Sequence, residues 1–172
     1  YFNVKTVVKH FPGHGNSRQD SHFNVTDVSK YWKHQEVFPY VKLLYEGNVD
    51  AIMTAHIVND QLDDSKLPAT LSKKIMTDYL RGDLGFDGVI FSDDMQMKAI
   101  ADQFGFEKSI EMAIKAGVDV LMFSNHFPMK GRDMIIPQDI IDIVKKMIAD
   151  GEISEKRIDA SYQRILKFKK NL

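Results

Sequence analysis

The run Phe86-Asp87-Gly88-Val89-Ile90-Phe91-Ser92-Asp93 starts near a carboxylate, crosses an apolar core and closes on a small hydroxyl followed by a second carboxylate. Two other stretches repeat the plan: Val49-Asp50-Ala51-Ile52-Met53-Thr54-Ala55-His56 and Val118-Asp119-Val120-Leu121-Met122-Phe123-Ser124-Asn125. In each, the residue six places after the aspartate is polar, which picks out Asp93, His56 and Asn125. Near-continuous apolar runs of this length suit parallel strands covered on both faces, and the polar residue arrives as each strand ends. The carboxyl ends of parallel strands are where α/β folds gather their chemistry. Asp50, Asp87 and Asp119 fall at the opposite end, where they read as turn-stabilising caps.

Helical patterns lie around these runs and stop at glycine: residues 31–46 before Gly47, 72–81 before Gly82, and 107–116 before Gly117. Ser72 and Ser154 are placed as N-caps, and residues 155–170 form an amphipathic closing helix. Thr6-Val7-Val8 supplies an earlier strand. Strand followed by helix, four times over, predicts a parallel sheet with right-handed crossovers. Either an open doubly wound sheet or part of a (β/α)8 barrel satisfies that order. A whole barrel takes roughly 250 residues, so a chain of 172 offers about half of one.

Lysine plus arginine (23) nearly balance aspartate plus glutamate (24), so no strong field marks the chain for nucleic acid or an anionic membrane surface. A small neutral substrate fits better. The absence of cysteine excludes disulfides, thiolate metal sites and a cysteine nucleophile. No apolar stretch approaches the roughly 20 residues needed to span a bilayer, and the expectation is a cytoplasmic protein. The chain opens on Tyr1 and enters a strand within a few residues, which suggests a piece of something longer.

Behind the first strand, Lys9-His10-Phe11-Pro12-Gly13-His14-Gly15 leads through a short spacer to Asp20-Ser21-His22. Three histidines, a lysine and a carboxylate therefore share one loop, whose glycines and proline allow turns that ordinary residues cannot make. A metal site built from His10, His14 and His22 is the rival reading. Their spacing lacks the helical i, i+4 geometry of zinc motifs, so no metal or cofactor is expected.

Taken in order, K-H-F-P-G-H-G with D-S-H, then M-T-A-H-I, L-P-A-T-L-S and F-D-G-V-I-F-S-D-D-M closely resemble the β-N-acetylhexosaminidases of glycoside hydrolase family 3. The motifs run from about Val4 to Asn125. The resemblance implies that residues 1–172 are a partial catalytic domain, the fifth to eighth strands of a (β/α)8 barrel, with the first half absent. It makes Asp93 the nucleophile, His22 the general acid/base with Asp20 as its partner, and Lys9 and His10 ligands of sugar hydroxyls. His56 is expected to line the pocket. Asn16-Ser17 stands where relatives often have Asp-Thr, a departure that touches loop shape rather than a catalytic position. The implied substrate is a small carbohydrate ending in β-linked N-acetylglucosamine, such as a peptidoglycan fragment. The glycine-containing loop is expected to move during the cycle.

Competing readings remain at each position. Asp93 and Asp94 are also good caps for a helix starting at Met95, and Asp20 with His22 is also an ordinary solvated loop pair. A β-glucosidase of the same family is opposed by Asp94 and by Asp20-Ser21-His22, since relatives of that kind tend to carry tryptophan after the nucleophile. A non-catalytic, sugar-binding or structural half-barrel is the reading from another class. Either way, two open sheet edges predict self-association or pairing with the missing half.

Overall fold

The computed structural model describes residues 4–15, 17, 25–126 and 134–170. Four parallel strands form its main sheet: β1 (Val7–Phe11), β3 (Ala51–Thr54), β5 (Val89–Asp94) and β6 (Val120–Met122), hydrogen-bonded in that order. A separate two-stranded parallel ladder joins β2 (Thr26–Asp27) to β4 (Ile57–Val58). The main-sheet register sets Val7 beside Ala51, Ala51 beside Val89, and Phe91 beside Val120. Each strand lies next to its predecessor in the sheet, with no reversal of direction in the order. An open doubly wound sheet has such a reversal; sequential addition is how a barrel grows.

Helical segments separate the strands: α1 (Phe38–Tyr45), a segment Lys74–Asp83 wound with i→i+5 bonds, α2 (Lys98–Phe104) and α3 (Phe106–Ala116), then α4 (Pro137–Ala149) and α5 (Glu155–Lys169) after β6. The helix expected over 31–46 is shorter because of Pro39. A proline has no N–H to donate and its ring collides with the carbonyl four residues back, so it fits only in a first turn. A 3-10 turn, His34–Val37, takes up the chain before it. Gly82 does not end its helix either: Leu84 N–H bonds Tyr79 O at 2.9 Å, and the left-handed residue falls at Gly85 (φ 70°). Gly47 and Gly117 do follow their helices as the spacing predicts. Ser154 caps α5 by accepting from Arg157 N–H at 3.3 Å, and Ser72 Oγ accepts from Ile75 N–H at 3.1 Å.

Ile52 and Ile90 on the inner strands pack with Phe11, Ile75, Met76 and Leu80 in one core, while Ile110, Ile114, Met147 and Ile153 form a second beneath α4 and α5. The outer strands are more open, with Val7 and Met122 each 39% exposed. At the amino-terminal end of the strands the aspartates do more than cap turns. Asp50 takes the Lys5 ammonium at 2.8 Å and the Thr6 amide at 3.1 Å. Asp119, its side chain fully buried, accepts from Arg81 Nη2 (2.6 Å), Ser161 Oγ (2.6 Å) and the Ile90 amide (3.0 Å), with Arg157 and Arg164 at 3.6 and 3.4 Å. Asp87 stays exposed beside Arg164 and Lys167.

Candidate active site

The carboxyl ends of β1, β3 and β5 bring three of the motifs together. His10 on β1 places Nε2 3.8 Å from Oδ2 of Asp93 on β5, too long for a hydrogen bond but close enough for a protonated imidazole to favour the carboxylate. The other carboxylate oxygen, Oδ1, accepts from the Asp94 amide at 2.9 Å. One oxygen is thereby fixed against its own backbone and the other turned toward β1. Both side chains are partly accessible, which a group that meets substrate requires. Lys9, beside His10 on β1, is exposed. The Lys9–His10 and Phe11–Pro12 peptides are cis.

Residues 12–15, which follow, are held by Trp32 and Glu36. Trp32, nearly buried, donates its indole N–H to Pro12 O at 3.0 Å, and Glu36 Oε2 accepts the Gly15 amide at 3.1 Å. Gly13 holds φ 113°, and a Cβ there would stand 2.6 Å from Glu36 Cβ. This glycine serves a left-handed turn and a close approach. His14 stacks edge-on to His10, ring centroids 6.3 Å apart. Asp20 and His22, the expected acid/base pair, lie outside the described residues.

Asp94 is not a helix cap. α2 starts at Lys98, and Asp94 Oδ1 accepts from the Gln96 amide (3.0 Å) and the Ser124 amide (3.3 Å), while the Ser124 hydroxyl donates to its Oδ2. It therefore ties the exit of β5 to the exit of β6. Asn125, at left-handed φ 56°, uses its side-chain amide to donate to Ile135 O (2.9 Å) and accept from Ile135 N (3.0 Å), so it closes the base of the following loop. His126 is exposed.

His56 differs most from expectation. Its ring is fully buried below the site, with Nδ1 2.8 Å from Thr70 Oγ1 and Nε2 2.9 Å from Asp94 O. With both nitrogens engaged and no exposed surface, it lies beneath Asp93 and Asp94 where a lining residue is expected. Burial pushes the imidazole below its ordinary value, against the pull of the Asp93 and Asp94 carboxylates. Thr54 and Thr70, which stand inside motifs, give no sign of a site role in the sequence, because a threonine in an apolar run carries no chemical signal of its own. Among the described residues no group of three or more His, Cys, Asp or Glu side chains is arranged to hold a metal ion.

Comparison with known proteins supplies the frame for this geometry. Residues 1–168 match the glycosyl hydrolase family 3 N terminal domain. A beta-hexosaminidase of Tolumonas auensis is 39% identical over 126 residues, 72% of this chain and 37% of its own length. The structure of a glycoside hydrolase family 3 beta-N-acetylglucosaminidase from Paenibacillus sp. str. FPU-7 superposes with a TM-score of 0.86 at 35% identity, covering 98% of this chain and 31% of that one. The beta-N-acetylglucosaminidase from Thermotoga maritima gives 0.79 at 29% identity, over 96% of this chain and 34% of that one. The chain thus spans about a third of the length of these relatives (37%, 31% and 34%). By a match running almost end to end, this chain belongs to glycosyl hydrolase family 3, within its N-terminal domain.

Proposed function

We propose that this chain is the second half of a (β/α)8 catalytic domain and that the whole protein is a retaining glycoside hydrolase that releases terminal β-linked N-acetylglucosamine. The observation that carries the reading is Asp93: a carboxylate at the end of an internal strand, one oxygen fixed by the Asp94 amide and the other turned toward His10. Retention requires such a group beneath the anomeric carbon. Oδ2 of Asp93 attacks that carbon as the glycosidic C–O bond breaks, and His22, oriented by Asp20, gives its proton to the leaving oxygen. Water then attacks the same carbon, His22 takes the water's proton, and the glycosyl–Asp93 ester bond breaks to free the carboxylate. A histidine titrating near neutrality suits both proton transfers. Lys9 and His10 hold sugar hydroxyls.

The names of the relatives support a β-N-acetylhexosaminide as substrate. Peptidoglycan fragments in the cytoplasm are the proposed source. An apolar groove of about 670 Å³ beside the open edge of β6, lined by Leu121, Met122, Ile136, Ile140 and Tyr162, is the face the first half of the barrel would cover. Without that half we expect little turnover.

The test is mass spectrometry of the full-length protein after incubation with a 5-fluoro N-acetylglucosaminyl donor, with peptide mapping. A sugar ester on Asp93 is the expected result; a bound donor that leaves no adduct would remove the nucleophilic role.

A further inference from the structure

Three of the motifs, Met53-Thr54-Ala55-His56, Leu67-Pro68-Ala69-Thr70 and Ser92-Asp93-Asp94, close on one another through buried hydrogen bonds. The Asp93 amide donates to Thr54 Oγ1 at 3.2 Å, and the Thr54 and Thr70 hydroxyls are 2.7 Å apart. Thr70 Oγ1 is 2.8 Å from His56 Nδ1, and His56 Nε2 is 2.9 Å from the Asp94 carbonyl oxygen. All three side chains are fully buried.

The proton order follows from chemistry. A carbonyl oxygen only accepts, so Nε2 carries a hydrogen. Burial disfavours the charged imidazole, and in the neutral ring Nδ1 accepts from the Thr70 hydroxyl. Thr70 Oγ1 then accepts from the Thr54 hydroxyl, and Thr54 Oγ1 from the Asp93 amide. The Ala55 carbonyl takes the Thr70 amide at 3.3 Å and is also within reach of the Thr70 hydroxyl as a donor at 3.0 Å, so the hydroxyl proton is shared between that oxygen and His56 Nδ1. Every donor points the same way round a ring that starts at the Asp93 N–H and ends at the Asp94 C=O. Such a chain, satisfied at each member in a low-dielectric interior, is stiff, and each bond polarises the next.

The ring grips the main chain on both sides of one side chain, and the Asp94 amide grips that side chain itself. We propose that His56, Thr70 and Thr54 are positioning residues that set the Asp93 carboxylate at its working height and so control the rate of the covalent step without touching the sugar. This rests on the reading of Asp93 as nucleophile. A carboxylate displaced by a fraction of an ångström still lets substrate bind but reacts slowly, so the loss falls on kcat and not on KM.

The experiment measures kcat, KM and the glycosylation rate of the full-length protein with Thr70→Val, Thr54→Val, Thr70→Ser and Thr54→Ser, with Asp93→Asn alongside. The valine variants remove a hydroxyl at nearly unchanged shape; we expect kcat and the glycosylation rate to fall about ten- to a hundredfold, with KM held within about threefold. The serine variants, which keep the hydroxyl, are expected to stay near wild type. A folded valine variant with wild-type kcat overturns the proposal even if its thermal midpoint drops, since that pattern marks a purely structural role. Should neither valine variant fold, the ¹⁵N resonances of His56 in the unmodified protein decide: a neutral ring protonated on Nε2 is expected, and one protonated on Nδ1 overturns the ring. Activity retained in Asp93→Asn would instead remove the proposed function itself. An inactive Asp93→Asn beside fully active valine variants would remove only the positioning role.

Discussion

Arg81 Nη2 lies 2.6 Å from Asp119 Oδ2, fastening the sheet at the end opposite Asp93. The same guanidinium reaches the carbonyls of Gly88 (3.0 Å) and Gly117 (3.2 Å), so it joins the segments that lead into β5 and β6. Removing one partner of a buried ion pair leaves the other charge unpaired, which costs about 3–5 kcal/mol. Asp119→Ala is therefore expected to lose about 3 kcal/mol or more in denaturant unfolding, whereas exposed Asp87→Ala should change stability by less than about 1 kcal/mol. Equal effects at the two positions would contradict the arrangement.

Two left-handed glycines offer a controlled comparison. Gly47 (φ 70°) has nothing within 4 Å of where a Cβ would stand, while at Gly13 (φ 113°) the Cβ would meet Glu36 Cβ at 2.6 Å. Gly47→Ala should cost about 1 kcal/mol, the conformational penalty alone. Gly13→Ala adds a collision under the Lys9–Gly15 loop and is expected to cost clearly more, with a measurable loss of activity. Matching thermal midpoints for the two variants would show that Glu36 yields freely.

Acid should weaken the fold through His56. Its folded-state pKa is pushed below the ordinary value by burial, so between that depressed value and about 6.5 the unfolded chain binds a proton that the folded one refuses. Stability is then lost as pH falls through 6.5, by at most about 1.4 kcal/mol per pH unit for one group. Asp93 and Asp94 on β5 face the ring and pull its pKa up, while His10 on β1 opposes them. Denaturant unfolding between pH 5 and 8 is expected to flatten in His56→Gln; an unchanged acid limb in that variant would assign the slope to other groups.

The chain by itself is expected to associate. Val7 and Met122 mark two open sheet edges, and the apolar groove beside β6 adjoins one of them. Light scattering should give a mass above that of one chain. A monodisperse monomer would mean that the edges are protected in a way their exposure does not suggest.

The strands were legible because their signal is local: Ala51–Thr54, Val89–Asp94 and Val120–Met122 each lie within an apolar run that the residues announce. Closing helix and cap at Ser154 were legible for the same reason. What escaped depends on residues far apart in the chain. Asp119 looked like a turn cap because its partners Arg81, Arg157 and Arg164 lie roughly 40 residues away on other elements. His56 looked like a lining residue because a strand-end histidine gives no sign of Thr70 arriving beneath it. Asp94 reads as the cap of a helix starting at Met95, whereas α2 begins at Lys98, since the competing pull of Ser124 is tertiary. The strained-looking glycines of the Lys9–Gly15 loop suggested motion, and only the position of Glu36 reveals that one of them makes room for a side chain.

The Asp119 cluster also has an order in time. A ribosome that has delivered β6 has supplied Asp119 Oδ2 with Arg81 and the Ile90 amide; Ser161, Arg157 and Arg164, which face Oδ1, come with α5, dozens of residues later. The nascent sheet is left with one oxygen of that carboxylate, Oδ1, short of these partners until that helix emerges and docks. The full locking of β5 to β6 thereby waits on α5, and a pause between Met122 and Arg157 would leave a sheet whose fastener is only partly made.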